Sequence, residues 1–244
     1  MPEFKAKLYL MIDELDFETY LSISPKKIGI YLLDKKKLKN LYFKEQDFEN
    51  NNVFLDFYIL NKFLDNNIFK IEKLLGKFIK NIILIIESEN ILIINVSLKK
   101  KNYENIISKK FLENSLIELK DLINENYQDY KILHMHIISY LFDEKYSYKF
   151  KFDMNCKNLS IETQFISLPN NFILEIEKIL ENFHIKTTNY LNQNYIRSLF
   201  KEEKIELSEM AYKSQLGHNN NEVSIISKNV RKDGFFEKFF QLFS

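Results

Sequence analysis

Apolar and polar positions along the chain sort into short strands and helices, in two successive blocks. Phe17 to Ile23 is apolar and β-prone, and Ser24-Pro25-Lys26-Lys27 is a turn. Ile28 to Leu33 reads as a second strand, and Leu38 to Phe43 as a third after the charged turn Asp34 to Lys37. Beyond the polar break Asp47 to Asn52, Val53 to Lys80 carries a helical period through Leu55, Ile59, Leu60, Phe63, Leu64, Ile71, Leu74, Leu75 and Phe78. Asn66-Asn67 is the place where that helix would split. Ile82 to Ile86 is a continuous apolar run of the kind a buried central strand carries. Glu87 to Asn90 turns the chain, Ile91 to Leu98 returns as a strand, and Lys99 to Lys101 marks an exposed boundary.

The second block opens with a helix, Tyr103 to Glu125, and a strand, Lys131 to Phe142. Tyr146, Tyr148, Phe150 and Phe152 then alternate with Ser147, Lys149 and Lys151, which predicts a strand with an aromatic core face and a cationic outer one. Leu159, Ile161, Thr163 and Phe165 alternate in an answering strand. Pro169 suits the first turn of a helix, whose buried stripe is Phe172, Ile176, Ile179, Leu180 and Phe183. His184 to Lys186 reads as a short strand, Asn192 to Phe200 as a short helix, and Lys201 to Leu216 as a further helix. His218 to Asn221 and Ser227 to Asp233 have the composition of a flexible linker.

The chain ends in Phe-Phe-Glu-Lys-Phe-Phe-Gln-Leu-Phe-Ser. On a helix, Phe235, Phe236, Phe239, Phe240, Leu242 and Phe243 form one broad apolar face, with Glu237, Lys238 and Gln241 opposite. Gly234 precedes it as a breaker, with Arg231 and Lys232 just upstream. An aromatic amphipathic helix behind basic residues reads as an interfacial membrane anchor. The phenylalanines would insert, and Arg231 and Lys232 would attract anionic headgroups. The alternative is a small α+β enzyme or single-stranded nucleic-acid-binding module with this terminal helix folded back onto its own core.

Composition narrows the function classes. Hydrophobic content of 45% in 244 residues is ample for one large domain or two small ones. Lys and Arg number 35 against 34 Asp and Glu, so no global field favours nucleic acid. Cys156 is the only cysteine, which excludes an intrachain disulfide and a thiolate metal cluster. Acidic residues interrupt Met1 to Phe17, so it does not read as a secretory signal. No apolar run approaches the roughly 18 residues that would span a bilayer. The expectation is a soluble or peripheral protein. The four glycines, Gly29, Gly76, Gly217 and Gly234, are too far apart for a Walker loop or a dinucleotide fingerprint.

Three constellations carry possible chemistry. His134-x-His136 places two imidazoles on one face of a strand, as metal ligands would be, with Asp143, Cys156 or His184 as the third. The same spacing arises from any strand with a polar face. Cys156 with His184 has the residue types of a nucleophile and base, but no orienting partner. The Tyr146 to Phe152 pattern could mimic a single-strand nucleic-acid platform, although aromatics toward a core and lysines toward solvent are its commoner cause. None of these carries the function, so no catalytic residue, metal, cofactor or nucleic-acid partner is expected.

The order helix, strand, hairpin, helix, strand between Asn102 and Lys186 resembles the inserted 1C subdomain of the bacterial cell-division family FtsA. The matching stretches are Lys131 to His136, Leu159 to Ile166 and Ile173 to Phe183. Tyr20 to Ser24 and Asn81 to Leu98 resemble strands of the neighbouring 1A subdomain, and the linker and terminal helix resemble the family's membrane-targeting tail. The resemblance implies an α+β fold of two sheet-plus-helix subdomains like the 1A and 1C parts of an actin-like protein. The expected layout is a 1A-like part at 1–98, an inserted 1C-like part at 99–188, return helices at 189–213, a linker at 214–233 and the amphipathic helix at 234–244. It also implies a division scaffold that contacts FtsZ, other division proteins or copies of itself at the anionic inner membrane. The chain departs from the family where nucleotide is held. The first phosphate turn reads Ser22-Ile23-Ser24-Pro25-Lys26, without glycine or an acidic residue, and nothing corresponds to subdomains 2A and 2B. The expectation is therefore a non-enzymatic, shortened form that does not bind ATP as FtsA does.

Overall fold

The computed structural model describes residues 16–48, 56–103, 106–151 and 155–223. The chain forms two units: Met1–Glu89 with Phe172–His218, and Asn90–Asn171 with Asn219–Ser244. The architecture is α+β, with one sheet in each unit.

The first unit is built on a five-stranded sheet. β1 (Phe17–Ile23), β2 (Lys27–Asp34) and β3 (Lys39–Asp47) form an antiparallel meander, as their alternation with turn residues predicts. β4 (Asn81–Ile86) lies parallel to β1, with Tyr20 opposite Ile83 and Ile23 opposite Ile86. β9 (Lys186–Asn192) lies parallel to β4, giving the order β3-β2-β1-β4-β9. Consecutive residues are buried along β1, β2 and β4. Successive side chains point to opposite faces, so both faces of the sheet centre are covered.

α1 (Phe57–Leu75) starts where Asp56 accepts hydrogen bonds from the Tyr58 and Ile59 amides, and stops at Gly76 with φ 67°. It does not split at Asn66-Asn67. The Asn67 amide is buried but satisfied: it donates to the Phe63 carbonyl at 2.6 Å and accepts from the Tyr42 hydroxyl at 2.6 Å. Three more helices belong wholly or mainly to this unit: α3 (Asn170–Glu181), α4 (Gln193–Leu199) and α5 (Leu207–Gln215). α3 begins one residue after Pro169, which is the last residue of a strand rather than part of the helix.

The second unit is a four-stranded antiparallel sheet with one helix on it. β5 (Leu92–Lys101), β8 (Asn158–Pro169), β6 (Tyr130–Phe142) and β7 (Lys145–Ser147) lie in the order β5-β8-β6-β7. α2 (Lys109–Asn126) is capped by Ser108, whose hydroxyl accepts from the Phe111 amide. Its residues Leu112, Leu116, Leu119 and Ile123 form a core with Met135, Ile137, Tyr140, Phe142, Leu159, Ile161 and Phe165. Both Met135 and Tyr140 reach this core because β6 carries a register shift between Ile137 and Ser139. An extra residue there moves the inward positions from odd to even numbers. His134 and His136 fall between the two shifts of β6, so they share one face, as the alternation predicts.

Several expectations are corrected here. β5 was expected in the 1–98 part, and it pairs instead with β8, from Leu92 opposite Ser167 to Lys101 opposite Asn158. The strand near Lys186 was expected to close the inserted part, and as β9 it joins the first sheet beside β4. His184 belongs to a turn with φ 57°. The Tyr146 to Phe152 strand is cut to three residues. Tyr146 and Tyr148 are exposed, whereas Phe150 packs edge-on against Tyr140. The stretch 214–233 was expected to be a linker, yet its beginning is docked: Ser214 is buried in the last turn of α5, and Val223 is part of the second unit's core.

Candidate functional site

The outer edge of β6 carries a buried histidine, His134, with its carboxylate partner. β7 covers this edge only at Tyr140–Phe142. Further along, Asn221–Val223 lies antiparallel against Met135–Ile137, with His136 opposite Glu222. The Ile137 amide donates to the Asn221 carbonyl and the Val223 amide to the Met135 carbonyl, each at 2.8 Å. A short turn presents the segment: the Asn221 amide donates to the Asn219 side-chain oxygen and the Glu222 amide to the Asn219 carbonyl, each at 3.0 Å. The Asn221 side-chain amide donates to the Tyr148 carbonyl at 3.3 Å.

The side chains complete the seat. Val223 enters the core beside Met135. On the other face, His134 Nδ1 lies 2.6 Å from Glu222 Oε1, with the imidazole 1% and the carboxylate side chain 16% exposed. An imidazole protonated at Nδ1 donates to that carboxylate. Burial lowers the pKa of His136 from its ordinary value; Glu222 opposes the shift and His134 reinforces it. The arrangement holds the chain's own extended segment by a carboxylate, Glu222, followed by an aliphatic residue, Val223. Sequence reasoning found His134 and His136 but missed Asn221, Glu222 and Val223. The available signal was Val223 itself, the first aliphatic residue after Leu216 in a polar run.

The other predicted chemistry is not brought together at this seat. Among the described residues, no group of three or more His, Cys, Asp or Glu is arranged to hold a metal ion. Asp143 is engaged elsewhere, accepting from the Lys157 and Asn158 amides, which hold its carboxyl below the usual range. Cys156 is buried, with its thiol donating to the Asn158 carbonyl at 2.7 Å, and burial pushes its pKa up. Cys156 belongs to the second unit and His184 to the first.

The β1–β2 turn, where the resemblance puts a phosphate, is closed by bonds between Ser24 and the Lys27 backbone, and Glu45 of β3 engages Lys27 and Tyr31 beside it. The Ser24 amide donates to the Lys27 carbonyl at 2.9 Å. The Tyr31 hydroxyl donates to Glu45 at 2.6 Å, and Lys27 pairs with Glu45 at 2.9 Å. Burial raises the Glu45 pKa, but the bonds from Lys27 and Tyr31 outweigh it and leave it lowered. A Cβ on Gly29 would stand 2.6 Å from the Tyr31 hydroxyl and 2.7 Å from the Ser22 hydroxyl.

The predicted membrane residues, Arg231, Lys232, Phe235, Phe236, Phe239, Phe240, Leu242 and Phe243, lie outside the described residues. Among the described residues, no helix is long and apolar enough to cross a membrane.

No family model and no curated protein matches the chain, so the likeness to FtsA stays a resemblance. Solved structures do match at low identity. One is the cytoplasmic domain of EpsL, an inner membrane component of the type II secretion system of Vibrio cholerae: 10% identity, 74% of this chain, 59% of that one, TM-score 0.39. Another is a PilM–PilN type IV pilus biogenesis complex: 8% identity, 76% of this chain, 52% of that one, TM-score 0.45. A third is a Bacteroides thetaiotaomicron protein with an actin-like ATPase fold and unknown function: 10% identity, 78% of this chain, 58% of that one, TM-score 0.33. The chain spans a little over half the length of each.

Proposed function

We propose that this chain is a non-enzymatic scaffold that holds partner proteins at the cytoplasmic face of the inner membrane through its C-terminal segment. The observation that carries the reading is the spacing of Phe235, Phe236, Phe239, Phe240, Leu242 and Phe243, behind Arg231 and Lys232. The docking of Asn221–Val223 supports it, because it gives the segment that follows a fixed origin on the second unit. The Ser24–Lys27 bonds that close the β1–β2 turn, in a stretch Ser22–Lys26 without glycine, support action without ATP hydrolysis. On the resemblance to FtsA, the partners are FtsZ filaments or other division proteins, and the site of action is the division site. One short helix binds a bilayer weakly and reversibly, so avidity from self-association or from a filament partner belongs to the reading.

Co-sedimentation with vesicles of phosphatidylglycerol and phosphatidylethanolamine tests it. Wild-type chain should pellet with the vesicles, and Phe236→Glu with Phe240→Glu should stay in the supernatant with an unchanged melting temperature. Little vesicle binding by the wild type, together with a lower melting temperature of the variant, would favour a helix packed on its own core and overturn the proposal.

A further inference from the structure

α1 carries an outer face that nothing among the described residues covers. Its inner side buries Leu60, Phe63, Leu64, Ile68, Ile71 and Leu75. On the other side, Lys62, Phe69 and Lys73 follow at i, i+7 and i+11, with Lys70 and Leu74 alongside. Phe69 is 70% exposed and Leu74 48%. Just past the helix, Gly76 turns the chain through φ 67°, and Phe78 stands 80% exposed. Lysines surround these apolar groups: Lys62, Lys70, Lys73, Lys77 and Lys80 are all exposed. None of the five pairs with a carboxylate among the described residues, and Lys77 lies over the Phe17 ring at 4.6 Å. The acidic residues of this stretch are Asp65 and Glu72, and Glu72 accepts from the Ile79 amide at 3.1 Å. In a chain whose charges balance, this surface is locally cationic, with large apolar side chains standing in it.

We propose that this face of α1 is a second membrane contact, which takes the surface of an anionic phospholipid bilayer. Anionic headgroups attract clustered lysines, whose apolar stems let the ammonium groups stay at the phosphates. Phe69, Leu74 and Phe78 supply the side chains that enter the headgroup boundary. The order of residues favours lipid over a protein groove. Lys70 and Lys73 lie between Phe69 and Leu74 on the helix surface, so no continuous apolar seam runs along it. A packed groove would have to bury those ammonium groups, whereas a bilayer surface lets them reach phosphate and water. The proposal deepens the membrane reading and rests on it. The chain leading to the tail is docked on the second unit, whereas α1 belongs to the first. α1 adds the weaker contact, and two contacts on one chain bind more tightly than either alone.

Titration of the full chain with phosphatidylglycerol vesicles, and with phosphatidylcholine vesicles of the same size, tests it. Three variants are compared with the wild type: Lys70→Gln with Lys73→Gln, Phe69→Ser with Phe78→Ser, and the tail variant Phe236→Glu with Phe240→Glu. The four α1 positions are exposed, so their melting temperatures should match the wild type. Each α1 variant should bind phosphatidylglycerol vesicles about tenfold more weakly than the wild type. The tail variant should lose more than either, and the wild type should prefer phosphatidylglycerol to phosphatidylcholine. Wild-type affinity in both α1 variants, with the tail variant released, would overturn the proposal, leave the tail reading in place and give the face to a protein partner. Binding lost in the α1 variants but kept in the tail variant would remove the tail reading and retain this contact. No vesicle binding by the wild type would overturn both.

Discussion

His134 and Glu222 are 88 residues apart in sequence and 2.6 Å apart across the outer edge of β6. This pair marks the point where a polar stretch with the composition of a linker becomes part of a folded sheet. Glu222→Ala removes the acceptor from a buried imidazole and should cost about 1–3 kcal/mol in urea unfolding. Glu222→Gln keeps an acceptor oxygen and should lose less. Amide exchange at Val223, which donates to the Met135 carbonyl, should quicken in the alanine variant more than exchange in β1 or β4. Equal losses in both variants would contradict a role for the hydrogen bond.

Gly29 sits where a side chain has no room. Adding a methyl group there brings it to 2.6 Å from the Tyr31 hydroxyl, on a ring that is only 1% exposed. Gly29→Ala should destabilise the first unit by about 1–3 kcal/mol through overpacking. Tyr31→Phe also forfeits the bond to Glu45, so it should lower the melting temperature less in the Gly29→Ala chain than in the wild type, because the crowded oxygen is gone. An equal loss in both backgrounds would contradict a clash at the Tyr31 hydroxyl.

His136 makes stability depend on pH. Its value is lowered from 6.5 in the folded chain, mainly by burial, so the native form is neutral. Unfolding in mild acid then takes up a proton. The contribution is present above about pH 6.5 and is lost as the pH falls through the folded value. Melting temperature should decline below pH 6.5, and His136→Gln should flatten that decline. An unchanged slope in the variant would assign the acid sensitivity to other groups.

Most strands and helices of the fold are legible in the sequence, whereas their partners are not. The run Ile82–Ile86 announces a strand buried on both faces, and β4 is one. Periodicity locates β5 as well, but it records only which side chains share a face. Nothing in Leu92–Lys101 says that the pairing strand is β8, more than fifty residues on. The same limit misplaced β9. Asn67 is a different case: its side chain bonds the preceding turn and Tyr42, so a residue that favours breaks sits buried inside α1. At the candidate site, alternation placed His134 and His136 on one face. Their carboxylate partner was hidden because a three-residue docked segment is too short to show a period, and its asparagines read as linker.

The central claim is that the terminal aromatic segment meets a lipid surface rather than the protein's own core. Amide hydrogen exchange along the chain, with and without phosphatidylglycerol vesicles, tests it most directly. The account predicts that Ile137 and Val223 are protected in both conditions, and that residues 235–243 gain protection only when vesicles are present. Protection of 235–243 in the absence of vesicles, unchanged on adding them, would contradict it.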